Sequence, residues 1–151
     1  MDCPKCVGKL QKTTVTSFTA PEHPEVGGRA GKQGLEVDRC FSCGGIWFDH
    51  GELERYLKAR LTILDSPAVG GELDQHLDAK EAHCPRCSHA MRKAPAPRSQ
   101  DVTMDMCGGC GGVWLDSTEV DRLERASTTL EGFMEFLRAR FERRDTQQPS
   151  P

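Results

Sequence analysis

A small α+β fold, written twice in one chain, is what three features of the sequence predict. The stretch Cys43-Gly44-Gly45-Ile46-Trp47-Phe48-Asp49-His50-Gly51-Glu52-Leu53 returns as Cys110-Gly111-Gly112-Val113-Trp114-Leu115-Asp116-Ser117-Thr118-Glu119-Val120. Eight cysteines accompany the repeat, all in Cys-x-x-Cys pairs. The hydrophobic fraction is 36%, below the roughly 45–50% apolar content of an average globular chain. Neither copy can therefore rest on a large apolar core. An internal repeat outranks the single-domain expectation that 151 residues would otherwise give.

The cysteines supply what the core lacks. Cys3-Pro4-Lys5-Cys6 is followed after 33 residues by Cys40-Phe41-Ser42-Cys43, and Cys84-Pro85-Arg86-Cys87 after 19 by Cys107-Gly108-Gly109-Cys110. Two thiolates at this spacing on a tight turn grip one side of a tetrahedral ion, and a second turn completes the site. The prediction is two zinc ions, each in a closed four-cysteine site, with iron as the alternative that would make the chain a coloured electron carrier. Disulfides are disfavoured: cysteine content is below the roughly 8–10% of disulfide scaffolds, and a start at Met1-Asp2-Cys3 leaves no room for a secretory signal. A cytoplasmic location with reduced thiols is expected. Thioredoxin-like redox chemistry wants one such pair before a helix in a βαβ unit. Sharing of a metal between Cys3, Cys6, Cys84 and Cys87 is disfavoured because each copy already holds a full ligand set. His83 and His89 stand beside the second knuckle, where four cysteines leave no vacancy for them.

Each copy is expected to begin with a hairpin. Leu10 to Phe18, rich in Thr and Val, partners Leu35-Glu36-Val37-Asp38, which alternates with period two. In the second copy Val102-Thr103-Met104-Asp105 alternates likewise, and its partner near Met91 to Ala94 is weaker. The surplus of the first copy falls in Ala20 to Gly34, whose Pro and Gly content marks a loop. Gly44, Gly45, Gly111 and Gly112 permit the positive φ of a metal knuckle, as does Gly8, with His89 at the matching place.

A helix follows each second knuckle. Asp49 with Glu52, and Asp116 with Glu119, form capping boxes; Phe48 with Leu53, and Leu115 with Val120, occupy hydrophobic-staple positions. Leu53, Tyr56, Leu57, Leu61 and Leu64 share one face of the first helix, which should stop near Ser66-Pro67. Residues 66–82 read as a linker with a short helical turn around Leu73 to Leu77. At the C-terminus Val120, Leu123, Ser127, Leu130, Met134, Leu137 and Phe141 form a heptad seam. Ser127-Thr128-Thr129 and Gly132 oppose its continuity, so one long helix and two helices broken near Ser127 both remain open. The predicted layout is 1–65 first ribbon and helix, 66–82 linker, 83–126 second ribbon and helix, 127–145 C-terminal amphipathic helix, and 146–151 disordered tail.

The other repeated residues read as scaffold. Trp47 and Trp114 could stack on nucleobases, but a Trp between knuckle and helix is expected to pack. The Asp–Glu pairs are explained by capping, with no further catalytic group repeated beside them, so no catalytic residue is assigned. Arg55 and Arg122 recur at one helical position, on a solvated face.

Cys-Pro-x-Cys, then a strand ending in Asp-x-Cys-x-x-Cys-Gly-Gly-(Ile/Val)-Trp-(Phe/Leu)-Asp-x-x-Glu, resembles the TFIIB-type zinc-ribbon (transcription factor zinc-finger) family, over about residues 1 to 57 and 84 to 123. The resemblance implies zinc held by Cys3, Cys6, Cys40 and Cys43, and by Cys84, Cys87, Cys107 and Cys110. It also implies a fold of two zinc ribbons, each a β-hairpin with two Cys knuckles, each followed by an α-helix, plus the C-terminal helical extension. Fold analogy alone does not carry function.

A closed four-cysteine site leaves no position to activate water, so a non-catalytic protein-interaction adaptor, linked to transcription, is expected. Its partner is a protein, with Leu130, Phe133, Met134, Leu137 and Phe141 as the contact or self-association face. A nucleic-acid-binding ribbon would use Lys5, Lys9, Lys12, Arg86, Arg92, Lys93 and Arg98. The formal net charge of −3, falling to about −7 once two such sites are filled, works against it. No run of about 18 apolar residues exists to span a membrane.

Overall fold

A computed structural model of the chain describes residues 1–16, 34–58, 72–96 and 99–125, together with position 139. The elements are β1 (Leu10–Thr16), β2 (Gly34–Cys40), β3 (Ile46–Phe48), α1 (Glu52–Lys58), α2 (Glu72–Ala79), β4 (Met91–Ala96), β5 (Ser99–Cys107), β6 (Val113–Leu115) and α3 (Ser117–Arg125). Nearly all of the expected loop at Ala20 to Gly34, the first helix beyond Lys58, and the C-terminal helix and tail apart from position 139 lie outside the described residues.

Both expected hairpins form. β1 runs antiparallel to β2 from Leu10 opposite Cys40 to Thr16 opposite Gly34. β4, weak in sequence, pairs with β5 along its length, with a shift in register at Pro95/Ala96. A proline is tolerated there because β4 is an edge strand.

The strands β3 and β6 were not among the expected elements. Each is only three residues long, too short to show a period, yet they join the two copies. The sheet has six strands in the order β1-β2-β3-β6-β5-β4. At its centre β3 and β6 run antiparallel, with Trp47 opposite Trp114, Ile46 opposite Leu115 and Phe48 opposite Val113. The two copies are thus related by an approximate twofold axis beside the Trp pair. The stretch 66–82, expected as linker, carries α2.

Alternation through β3 and β6 sorts side chains to two faces. Ile46, Phe48, Val113 and Leu115 join Val37, Val102 and Met104 under α1 and α3, where Leu53, Tyr56, Val120 and Leu123 close the layer. Phe48 and Tyr56 meet edge to face, with ring centroids 5.3 Å apart. Trp47 and Trp114 go to the other face, among the cysteines and Leu77 of α2. One sheet therefore has an apolar, helix-covered side and a cysteine-lined side.

Candidate metal centres

Each knuckle is a backbone turn that aims two sulfurs at one point. Cys40 N–H donates to Gly45 O at 2.9 Å, and Gly44 N–H returns to Cys40 O at 2.8 Å. Cys107 with Gly112 at 2.9 Å, and Gly111 with Cys107 at 3.1 Å, repeat the pattern. Gly44 and Gly111 have φ of 76° and 77°, the conformation that favours glycine. The expectation of positive φ fails at Gly8, Gly45 and Gly112, and the second copy places it at Ser88, φ 60°, rather than His89.

The turns converge within copies, not between them. The sulfurs of Cys3, Cys6, Cys40 and Cys43 lie within 4.8 Å of one another, as do those of Cys84, Cys87, Cys107 and Cys110. Close pairs are Cys3–Cys43 at 3.7 Å, Cys6–Cys40 at 3.5 Å, Cys84–Cys110 at 3.5 Å and Cys87–Cys107 at 3.4 Å. With metal–sulfur bonds of about 2.3 Å, tetrahedral geometry requires sulfurs about 3.8 Å apart. The donor sets therefore fit a four-coordinate ion.

Backbone amides reinforce the fit. Lys5 N–H points at Cys3 Sγ at 3.5 Å, Gly8 N–H at Cys6 Sγ at 3.3 Å, Arg86 N–H at Cys84 Sγ at 3.3 Å, and Gly109 N–H at Cys107 Sγ at 3.1 Å. These donors stabilise thiolate over thiol. The Cys43 hydrogen bond draws the Cys3 thiol down to about 5 and raises that of Cys43. The first centre is the more enclosed: Cys110 of the second is exposed.

The copies compensate for each other's size at one point. A methyl on Gly8 would lie 2.6 Å from Ser42 Oγ; a methyl on Gly109, which replaces Ser42 in the second copy, would lie 2.9 Å from Nδ1 of His89, which replaces Gly8. His89 itself approaches Cys87 Sγ at 3.3 Å through Nδ1. It sits over a ligand rather than in the ligand set.

Four side chains around the centres cross between the copies: two tryptophans and two cations. A Cβ on Gly45 would collide with the six-membered ring of Trp114, and one on Gly112 with that of Trp47. Both indoles are fully buried. Trp47 Nε1 donates to Asp49 at 2.8 Å, and Trp114 Nε1 to Asp116 at 2.8 Å. The second glycine of each Gly-Gly is thus a seat for the other copy's tryptophan.

The cation inside each Cys-Pro-x-Cys also crosses. Lys5 Nζ lies 2.7 Å from Asp105 and 3.9 Å from Asp116, with all three side chains essentially buried. It also donates to Leu77 O at 2.9 Å and Lys80 O at 3.0 Å, carbonyls at the end of α2. Burial opposes the charge of Lys5, but Asp105 outweighs it and holds the ammonium above its ordinary pKa. Arg86 mirrors this at 2.6 Å from Asp38 and 2.7 Å from Asp49, one-third exposed. The signal was in the sequence as a cation between the first two cysteines of each copy and an aspartate two residues before the third.

The glutamate half of each capping box forms, while the Asp carboxylates accept from the tryptophan indoles. Asp49 N–H donates to Glu52 at 2.8 Å and Asp116 N–H to Glu119 at 2.9 Å. Glu119 also accepts from Thr103 N–H at 2.8 Å, tying α3 to β5. Arg55 pairs at 3.7 Å with Glu52 while two-thirds exposed, and Arg122 donates to Asp101 O at 3.0 Å. Among the basic residues, Lys9 pairs with Asp2, Lys12 with Glu36 at 3.2 Å, and Lys93 with Asp105 at 3.1 Å. Arg98 lies outside the described residues.

Two segments, residues 29–59 and 83–126, match the family described as Transcription factor zinc-finger. The first match begins after Cys3 and Cys6, which the geometry brings to Cys40 and Cys43. No curated protein matches the chain, and no solved structure does. No helix among the described residues is long and apolar enough to cross a membrane.

Proposed function

This chain belongs to the transcription factor zinc-finger family in two copies, and on that premise we propose that it is a non-catalytic, two-zinc protein-interaction adaptor linked to transcription. The observation that carries the reading is the closed donor set of each centre, four sulfurs within 4.8 Å. Four thiolates fill a tetrahedral zinc ion and leave no position for water or substrate, so the metal supplies folding energy. Cys3, Cys6, Cys40 and Cys43 hold one ion, and Cys84, Cys87, Cys107 and Cys110 the other. The glutamates of the Asp–Glu pairs serve as caps rather than as acid or base.

The first copy offers a surface that the second does not. Val7 is fully exposed at the tip of its first knuckle, and Phe41 is half exposed on its second, with the Arg39 guanidinium over the ring at 5.2 Å. Ser88 and Gly108 stand at the matching positions. Apolar residues presented on two rigid metal-held turns of one centre suit a protein partner. A nucleic-acid role is disfavoured because Lys5, Lys9, Lys12, Arg86 and Lys93 each face a carboxylate, leaving fewer charges for phosphate.

Affinity capture from the chain's own cells tests the reading, with zinc-loaded protein as bait and Cys40→Ser as control. A polypeptide retained by the first and lost with the second is expected. Nucleic acid recovered in a salt-sensitive manner, or equal recovery with both baits, would overturn the adaptor role. Metal analysis should find two zinc ions per chain in a colourless protein; colour and iron would identify an electron carrier instead.

A further inference from the structure

Resting on zinc at both centres, we infer that the two centres load cooperatively, because each knuckle delivers a cation into the other copy and each copy's tryptophan fills the other's Gly-Gly turn. Lys5 is held between Cys3 and Cys6, and its ammonium reaches Asp105 at 2.7 Å. Asp105 lies two residues before Cys107, a ligand of the second centre. Arg86, between Cys84 and Cys87, reaches Asp38 at 2.6 Å, two residues before Cys40 of the first. The aromatic circuit runs the same way. Trp114, bonded to Asp116, packs on Gly45 two residues after Cys43; Trp47, bonded to Asp49, packs on Gly112 two residues after Cys110.

The coupling follows from what an empty centre leaves behind. Without an ion, the turn that carries Lys5 is held chiefly by Cys3 N–H to Gly8 O, Leu10 N–H to Met1 O, and the bonds of Lys5 and Lys80 to α2 and to each other. Releasing Lys5 strands Asp105, 1% exposed, with only the exposed Lys93 ammonium as a cation among the described residues. A buried carboxylate that loses its partner destabilises the strand that bears it, here β5 with Cys107. Zinc at the first centre therefore prepares the second, and by linkage the second prepares the first to the same degree.

Native mass spectrometry of the full chain, stripped of zinc and titrated with Zn²⁺, reads the coupling directly. Zinc-free and two-zinc chains should dominate at half loading, with the one-zinc species well below the roughly one-half that two equal independent sites give. One-zinc chains at or above half would overturn the inference while leaving two-zinc binding intact. No zinc bound would sink both the inference and the adaptor reading. Lys5→Met combined with Arg86→Met keeps all eight ligands and should raise the one-zinc share, with a loss of about tenfold in affinity for the second ion. If the double variant melts earlier but its one-zinc share does not change, the cations are structural only and the coupling is absent.

Discussion

At Gly45 and Gly112 a single added methyl group would meet an indole from the opposite copy. Overpacking of this kind costs about 1–3 kcal/mol, so Gly45→Ala and Gly112→Ala should each lower the midpoint of chemical unfolding. Gly51 has open space around its Cβ position and a φ of 80°, so its alanine variant should suffer only backbone strain, about 1 kcal/mol. Glu119 carries a pH dependence. Burial pushes its carboxyl up to about 8, against the pull of the Asp116 and Thr103 amides. The folded state then holds a proton that the unfolded state releases near 4.5. Its stabilising contribution is complete below that value and is lost as pH rises through about 8. Compared with Glu119→Gln, the wild type should lose on the order of 2–4 kcal/mol between pH 5 and 8; thermal unfolding of both zinc-loaded proteins measures it, and zinc-thiolate titration cancels in the difference. The clustered cysteines, the capping glutamates and the buried tryptophans were legible because each residue type has few uses at its spacing. The role of Gly45 and Gly112 was not, since a glycine does not reveal whether it serves its own backbone or a neighbour's side chain.

Among the elements, the two crossed ion pairs make the same connection at different depths. Lys5 and Asp105 are both buried under α2, whereas in the matching pair Asp38 is buried but Arg86 is about one-third exposed. Removing one partner of a buried pair costs about 3–5 kcal/mol, and of a solvent-screened pair about 1 kcal/mol or less. Lys5→Met should therefore destabilise the protein more than Arg86→Met, measured by urea unfolding with zinc present; equal effects would contradict the difference in burial. The hairpins were readable from alternation in Leu35 to Asp38 and Val102 to Asp105. The strands β3 and β6 were not, because three residues show no period and their pairing is set by contact with each other. α2 was only half visible: its helical turn could be read around Leu73 to Leu77, but its docking depends on Lys5, 72 positions away from Leu77.

For the whole molecule, chelation should unfold both copies in one transition, followed by far-UV circular dichroism, since the sheet is continuous through β3 and β6. Two separate transitions would mean that the copies stand alone. The repeat and its two four-cysteine clusters were written in the sequence; the union of the copies was not, because no local pattern encodes which surface a module buries. The junction is nearly self-complementary: Trp47 and Trp114 face each other, and each seat is a glycine. An isolated second copy, residues 83–126 with zinc, should accordingly form a homodimer by light scattering, with Trp114 in the partner's Gly112 seat.

That symmetry bears on how such a chain can change over time. In a dimer of identical polypeptides, every substitution at the junction appears on both sides at once and must be tolerated twice. Tandem fusion removes that constraint. Lysine could sink beneath α2 at position 5 while arginine stayed near solvent at 86, and apolar residues could surface at Val7 and Phe41 while Ser88 and Gly108 kept the other end plain. Covalent linkage thus leaves one half free to acquire a new role while the other maintains the architecture.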